Sequence, residues 1–349
     1  MNTVRFALTM LVFCAVQIDC QSSNDEGWTW FYRKTCAQQL QKTDEIVFTQ
    51  HNVPSFVQLI CSWNAFRPTK GYFSFWITVR DEKTKQWSEW QKMSEWGANT
   101  QRSFFSKLSD GIEFVHVRLE TEKKGPSDAF SIKACAHEGA SLSDLKALMA
   151  NTSHTQKFKT EIHDSALASL PTVFVTDVPA VSQFELDHPR NDGLCSPTSC
   201  SMLSSFLLKR MLDPISFAEN AYDNGLEKYG SWPFNMAHAF EACKGHAWFS
   251  VARLQSFKHL CHQLHKGIPV VVSVRGPMQG AFGQYLNGHL LVVTGFDSQT
   301  KEVVCNDPAA KSKDLVIKRY ALAEFLLAWE RSRRLAYLAE PISNKTKLK

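Results

Sequence analysis

Several features are scarce or absent in this 349-residue sequence, and each absence excludes a class of protein. Glycine and proline number only 16 and 13 while hydrophobic residues make up 44%, so the chain is neither collagen-like nor disordered. Charge of one sign is not in large excess, because the net charge is +5. That balance argues against a dedicated nucleic-acid-binding protein, and no nucleic-acid partner is expected.

Patterns for metal binding and membrane crossing are also missing. No Cys-x-x-Cys pair occurs, and His259, His262 and His265 are spaced so that on a helix they do not converge on one ion. After residue 20 no apolar run reaches the roughly 18 residues that a membrane-spanning helix needs. We therefore expect that the protein binds no metal and no cofactor and is not an integral membrane protein.

The first twenty residues are typical of an export signal. Arg5 supplies a positive charge, and residues 6–16 (FALTMLVFCAV) form an apolar stretch of signal-peptide length. The alternative is an N-terminal helix buried in the fold. We expect residues 1–20 to be a signal peptide and the protein to be exported, either periplasmic or secreted. The sequence before Cys20 matches a bacterial lipoprotein cleavage site poorly, which makes lipid anchoring at Cys20 the minority option.

Residues 28–137 have the composition of β-strands. Three short segments are β-branched and aromatic, alternate partially in polarity and are separated by proline and glycine: 55–63, 72–80 and 112–120. This pattern predicts an antiparallel sandwich or jelly roll. Seven of the ten tryptophans lie here; core positions are favoured over a sugar-binding platform, with Trp87 and Trp90, in polar sequence, expected to be exposed.

A second domain is predicted at residues 179–342, joined to the first by a connector at 138–178. Within the connector, residues 141–149 (SLSDLKALM) have the pattern of a short capped helix. Beyond residue 179 helical patterns come first and strand patterns later, which favours an α+β fold over βαβ repetition.

The residues that carry chemistry lie in this second domain. Ser196 is a good N-cap and Pro197 suits the first helical position, so a helix is predicted to begin just after Cys195. Backbone N–H groups and the helix dipole lower the pKa of a thiol at that place. Alone, a cysteine before a helix is more often a packing residue or half of a disulfide.

A sulfur nucleophile needs a base, and the base needs a group that orients it. His289 opens an apolar strand, and Asp307 ends the next strand eighteen residues later. If these strands form an antiparallel hairpin, the two side chains lie near one end of it and Asp307 can hold the tautomer of His289. Asp297 also follows a strand, but at the end far from His289.

These residues belong to a wider resemblance. The second domain resembles the papain-like cysteine peptidases of the bacteriocin-processing (double-glycine) type, specifically their exported bacterial branch. The matching segments follow in order along the domain: GLCSPTS at 193–199, YGSWPFNMAHA at 229–239, GIPVVVSV at 267–274, NGHLLVVTGF at 287–296 and VCNDPAA at 304–310. The first domain resembles, more loosely, the β-sandwich that precedes this peptidase, through SWNAFRP at 62–68, the Trp-x-x-Trp at 87–90 and DGIEF at 110–114.

The resemblance implies a papain-like α+β fold and a role for each matching residue. Cys195 corresponds to the nucleophile, His289 to the general base and acid, and Asp307 to the orienting residue. The implied activity is that of an exported thiol hydrolase that cleaves a peptide or protein substrate through an acyl-enzyme. The same three residues would serve an amidase or a transpeptidase. A different alternative is a non-catalytic protein whose first domain binds a glycan or cell-surface polymer, against which the complete Cys-His-Asp set argues.

Four further site residues follow from the resemblance. Gln183 corresponds to the side-chain amide of the oxyanion hole, although it lies twelve residues before Cys195. Trp232, Phe234 and Asn235 correspond to the cleft wall, and a buried structural motif explains these three equally well.

Overall fold

The structure is a computed structural model that describes residues 16–17, 27–36, 44–108, 110–162, 167 and 169–342. The predicted export signal lies outside these residues, apart from the pair Val16–Gln17. Within the described ranges, no helix is both long and apolar enough to cross a membrane.

The N-terminal region consists of two antiparallel sheets. The first sheet contains, in spatial order, β1 (Val16–Gln17), β2 (Thr29–Thr35), β12 (Leu145–Ser153), β4 (Gln58–Ala65), β10 (Arg118–Glu120), β9 (Glu113–Val115) and β8 (Ser106–Lys107). The second contains β3 (Glu45–Gln50), β11 (Ser127–His137), β5 (Tyr72–Asp81), β6 (Gln91–Gly97) and β7 (Gln101–Ser103). The predicted β character of this region is confirmed.

Aromatic side chains fill the space between these two sheets. Trp63 of β4 stacks on Phe75 of β5, with ring centroids 4.0 Å apart, and Trp96 of β6 meets Trp63 edge to face. Trp87 and Trp90 remain 40% and 38% exposed. Both expectations for the tryptophans, a mainly buried set and one exposed pair, are confirmed.

The helix predicted at residues 141–149 is wrong, because the chain there makes a short 3₁₀ turn and then strand β12. Leu148 and Ala150 of β12 enter the core between the two N-terminal sheets, whereas Ala147 and Met149 enter the core shared with the C-terminal region. A strand buried on both faces shows no alternation of polar and apolar residues, and its leucines and methionine match a helix by propensity alone. The predicted connector at 138–178 therefore contains a central strand of the first sheet.

The C-terminal region is α+β, as predicted. Its sheet contains, in spatial order, β14 (Ala247–Arg253), β19 (Leu335–Pro341), β15 (Val270–Val274), β16 (His289–Asp297), β17 (Glu302–Asn306) and β18 (Ile317–Ala321), and β13 (Val173–Phe174) pairs with β16. The helices are α1 (Cys195–Leu208), α2 (Pro214–Ala221), α3 (Trp232–Ala242), α4 (Phe257–His265) and α5 (Leu322–Arg331).

The helices cover both faces of this sheet. Val271 of β15 lies in one core with residues of α1 and α3, and its neighbours Val270 and Val272 lie in another core with residues of α4 and α5. Successive side chains of a strand point to opposite faces, so α1 and α4 lie on opposite sides of the sheet. The N-terminus of α1 therefore lies on one face of the sheet, next to the first residues of β16.

Buried polar contacts join the two regions. The Asn64 side chain on β4 donates to the carbonyl of Phe249 on β14 at 2.8 Å and accepts from its N–H at 2.9 Å. Ser103, the last residue of β7, donates through its backbone N–H and its hydroxyl to the carboxylate of Asp223. The chain approaches so closely there that a Cβ on Gly225 would lie 2.0 Å from the carbonyl oxygen of Ser103.

Candidate active site

Cys195 is the first residue of α1 and is half-buried. The N-cap position belongs to Leu194, whose side chain makes no capping hydrogen bond, so the predicted cap at Ser196 is wrong. Ser196 is enclosed one residue inside the helix, and its hydroxyl lies 3.0 Å from that of Tyr337. Because no side chain caps this turn, the N–H of Ser196 is left to hydrogen-bond the Cys195 sulfur, as does the N–H of Leu290.

His289 and Asp307 meet at one end of the β16–β17 hairpin. The two strands pair antiparallel, His289 is the first residue of β16, and Asp307 directly follows β17. Nε2 of His289 lies 2.7 Å from Oδ1 of Asp307, and both side chains are buried. Asp297, at the other end of the hairpin, accepts instead from the backbone of its own turn.

Two tyrosines complete the surroundings of Asp307. Oδ2 accepts hydrogen bonds from the hydroxyl of Tyr285 at 2.8 Å and from that of Tyr320 at 2.7 Å, while Oδ1 also accepts from the N–H of Ala309 at 2.9 Å. The ring of Tyr285 also stacks on His289, with centroids 4.1 Å apart and planes 14° apart. The carboxylate thus has two donors on each oxygen.

The electrostatics favour a charged pair. Burial opposes charge on His289, but the negative charge and hydrogen bond of Asp307, with a hydrogen bond to Cys195, outweigh it and raise the pKa of His289 to about 10. Burial likewise raises the pKa of the Cys195 thiol, yet the hydrogen bond and positive charge of His289 and two backbone N–H groups lower it overall. This arrangement supports a thiolate beside an imidazolium.

Gln183 links the two sides of this site. It is buried in a short 3₁₀ turn, and its backbone N–H donates to the carbonyl of Pro308, next to Asp307. Its Nε2 donates to the carbonyls of Asn191 and Asp192, in the turn that leads into Cys195, at 2.9 and 3.0 Å. The amide nitrogen has two N–H groups and two carbonyl acceptors, so a donor for an oxyanion becomes available only when one of these two bonds is released.

The structure does not place Phe234 and Asn235 at a cleft wall. Both are fully buried: Phe234 packs edge to face on Trp63 of the N-terminal region, and Asn235 donates to the carbonyls of Tyr229 and Ser231. The buried face of α3 is held by the N-terminal sheet, which accounts for the apolar motif. Trp232 is half-buried beneath the guanidinium of Arg118, so a surface role stays a prediction for this residue alone.

Tyr285 and Tyr320 are contact residues that the sequence analysis missed. Tyr285 lies four residues before His289 in a glycine-rich loop, and Tyr320 comes from β18, which pairs with β17. Neither matches a motif, and only the strand order brings Tyr320 to Asp307. In the described part of the chain, no group of three or more His, Cys, Asp and Glu side chains could hold a metal ion.

A half-buried thiol at a helix N-terminus, hydrogen-bonded to a histidine that a carboxylate holds in turn, is the arrangement of a cysteine hydrolase. Residues 175–337 match the Peptidase_C39 like family, and this match supports a papain-like cysteine peptidase of the C39 type in this part of the chain. No curated protein matches the chain. Among solved structures the chain is similar to Xylellain, a cysteine protease from Xylella fastidiosa, with 13% sequence identity and a TM-score of 0.34 over 53% of this chain and 91% of that one.

Proposed function

We propose that the protein cleaves a peptide bond through Cys195, His289 and Asp307 by way of an acyl-enzyme. The observation that carries the proposal is that His289 is hydrogen-bonded to Asp307 at 2.7 Å and lies close enough to Cys195 for each of these two residues to shift the pKa of the other. Because Nε2 of His289 is held by Asp307, Nδ1 is the ring nitrogen left to exchange a proton with the sulfur. The imidazole therefore has one tautomer in which it can both accept and return a proton at Cys195.

Acylation begins with attack of the Cys195 thiolate on the carbonyl carbon of the scissile bond. A C–S bond forms and the carbonyl electron pair moves onto oxygen, where the N–H of Cys195 stabilises it together with an N–H of the Gln183 amide, which exchanges one of its carbonyl partners for the oxyanion. As the intermediate collapses, the C–N bond breaks and the leaving amine takes the proton from Nδ1 of His289. The product is a thioester on Cys195.

Deacylation repeats these steps with water. Neutral His289 takes a proton from a water molecule while the water oxygen attacks the thioester carbonyl. The C–S bond then breaks, the carboxylic acid leaves, and the thiolate beside a protonated His289 is restored. Asp307 remains ionised throughout, and its charge stabilises the imidazolium.

Thiol labelling with iodoacetamide at pH 6, read out by peptide mass spectrometry, tests the nucleophile. Cys195 should react at least about 100-fold faster than Cys135, whose pKa is raised by burial, and His289→Ala should remove most of that advantage. His238→Ala, a histidine on α3 bonded to Glu241, is the matched control and should leave the labelling unchanged. Equal labelling of Cys195 and Cys135 in the wild-type protein would contradict the proposal.

Product analysis distinguishes a peptidase from a transpeptidase. A peptide mixture from denatured casein is incubated with the protein in H₂¹⁸O, and the new termini are identified by mass spectrometry. A peptidase incorporates ¹⁸O into each new carboxyl terminus, and the Cys195→Ala variant yields none. Peptides joined to an added amine, without ¹⁸O, would identify a transpeptidase.

We further propose that residues 1–20 direct the protein out of a bacterial cytoplasm, so that it acts in the periplasm or outside the cell. The apolar stretch at 6–16 behind Arg5 supports this. Cell fractionation with N-terminal sequencing of the mature chain tests it. A cytoplasmic protein that retains Arg5 would contradict it, and a lipid on Cys20 would indicate anchoring instead of release.

A glycan-binding role of the N-terminal region is supported by one observation, the exposed rings of Trp87 and Trp90. Both residues lie in the connection between β5 and β6, and exposed indole faces suit sugar rings, although Lys133 covers one face of Trp90. Co-sedimentation with insoluble peptidoglycan tests it: the wild-type protein should sediment, and Trp87→Ala should remain in solution. Equal behaviour of the two proteins would exclude this pair as a binding site.

A further inference from the structure

The two oxygens of the Asp307 carboxylate have different hydrogen-bond partners. Oδ1 faces His289 and the N–H of Ala309, and Oδ2 accepts from the hydroxyls of Tyr285 and Tyr320. A carboxylate oxygen without donors in a buried site is costly and invites rotation or protonation. The two phenols remove both tendencies, because they satisfy Oδ2 and leave Oδ1 in front of the imidazole.

The two phenols come from separate elements that are each fixed in place. Tyr320 is buried on β18, opposite Val303 of β17. Tyr285 lies in the loop between β15 and β16, and its carbonyl accepts from the N–H groups of both Gly276 and Gly288. Tyr285 has a φ of 45°, a left-handed conformation that costs a non-glycine residue energy and persists only where its surroundings impose it.

Tyr285 has a second contact that Tyr320 lacks. Its ring lies flat on the imidazole of His289, with 14° between the planes, while its hydroxyl donates a hydrogen bond to Asp307. The stacked ring covers that face of the imidazole. The single residue Tyr285 thus touches both the base and the group that orients it.

We propose that Tyr285 and Tyr320 are positioning residues that hold Asp307 ionised and aligned on His289, and that Tyr285 also fixes the imidazole plane. The proposal rests on the function proposed for Cys195, His289 and Asp307. Burial and the charge of Asp307 raise the pKa of both phenols, so they remain donors over the whole working range of pH.

The other groups around Asp307 do not replace these donors. Burial raises the pKa of Asp307, but the charge and hydrogen bond of His289 on β16, with the hydroxyl of Tyr320, lower it overall. From β17 Asp307 is faced by the buried thiol of Cys305, whose own pKa is raised by burial and by the charge of Asp307. Cys195 on α1 acts on Asp307 through His289. Loss of the phenols should therefore let the pKa of Asp307 rise, and the acid limb of Cys195 reactivity should move to higher pH.

The test measures the rate of Cys195 alkylation by iodoacetamide from pH 4 to pH 9, together with peptide turnover, for Tyr285→Phe, Tyr320→Phe and the double variant. Each single variant should lose about threefold to tenfold in turnover, because the other phenol still serves Oδ2, and the double variant more than the product of the two losses. The acid limb should move to higher pH, furthest in the double variant. Tyr285→Leu, which also removes the stacked ring, should lose more turnover than Tyr285→Phe.

One control and one further variant distinguish the possible outcomes. Tyr72→Phe removes the hydroxyl of a tyrosine that stacks on a histidine, His137, in the N-terminal region, and should change neither readout. 3-Fluorotyrosine at position 285 keeps the fold and strengthens the O–H donor, so it should move the acid limb to lower pH. If the wild-type protein shows no preferential labelling of Cys195, the proposed function fails. If it does, but the double variant and the 3-fluorotyrosine protein retain the wild-type profile, the positioning role is overturned.

Discussion

Nε2 of His289 lies 2.7 Å from Oδ1 of Asp307, and this contact leaves Nδ1 as the imidazole nitrogen without a role at the carboxylate. In the proposed mechanism Nδ1 is therefore the atom that exchanges a proton with the sulfur of Cys195. The charge of Asp307 outweighs the burial of His289 and favours the imidazolium. In the proposed mechanism the reactivity of the Cys195 thiol therefore depends on the charge of Asp307, which reaches the thiol through His289.

Asp307→Asn should reduce turnover while the chain stays folded. Asparagine keeps an acceptor for His289 but removes the negative charge, so the pKa of His289 falls and the thiolate loses its partner. We expect a loss of about 100-fold in turnover, smaller than that of His289→Ala. Asp307→Ala should in addition lower the free energy of unfolding by roughly 2–3 kcal/mol, because buried donors such as the hydroxyl of Tyr320 lose their acceptor. Turnover and urea unfolding of both variants check this, and full turnover in Asp307→Asn would contradict it.

The dependence of stability on pH should reveal the charged pair. The pKa of His289 is raised from 6.5 to about 10, so its contribution is fully present below pH 6.5 and is lost as pH rises toward 10. The pKa of Cys195 is lowered from 9.0, so its contribution is present above pH 9 and is lost as pH falls through its folded value. Between pH 6.5 and pH 9, wherever the folded thiol is ionised, the two slopes cancel, because the folded pair and the unfolded chain each hold one proton.

Cys195→Ala should remove one of these slopes. The free energy of unfolding of the variant, measured by urea denaturation, should then fall between pH 7 and pH 9 relative to the wild-type protein, by up to about 1.4 kcal/mol per pH unit. Other titrating groups are common to both proteins and drop out of the comparison. Parallel curves for the two proteins would mean that Cys195 and His289 are not a charged pair in the folded state.

Gln183→Ala should separate turnover from thiol reactivity. Alkylation by iodoacetamide forms no oxyanion, so an amide that serves the oxyanion affects turnover alone. We expect turnover to fall about 100-fold and the labelling rate of Cys195 to change by less than about threefold. An equal fall in both would show that Gln183 only anchors the turn at Asn191 and Asp192. Gln299→Ala, in an exposed turn, is the control.

Local signals predicted the elements of the site better than its surroundings. The hairpin of β16 and β17 follows from two apolar strand patterns with polar ends, and it sufficed to bring His289 to Asp307. Tyr320 reaches the same carboxylate only because β18 pairs with β17, and no local pattern encodes that pairing. The interpretation of β12 as a helix failed for the same reason, since burial on both faces is a property of the assembled fold and not of the segment.

Asn64→Ala should show that the two regions unfold together. The Asn64 amide satisfies both backbone groups of Phe249 on the edge strand β14, in a fully buried place. Its removal leaves a buried N–H and a buried carbonyl without their partner, which should lower the free energy of unfolding by about 3 kcal/mol. Asn99→Ala, at an exposed site, should have little effect.

Two probes report on the two regions separately. Tryptophan fluorescence is dominated by the seven tryptophans between residues 28 and 96, and exposure of the Cys261 thiol reports on the core between α4 and the C-terminal sheet. If the interface couples the regions, both transitions occur at the same urea concentration in the wild-type protein and shift equally in Asn64→Ala. A shift of the fluorescence transition alone would show that the peptidase region is stable without the N-terminal sheets. In the coupled case, the N-terminal region is part of the scaffold that holds α3 and the C-terminal sheet in place.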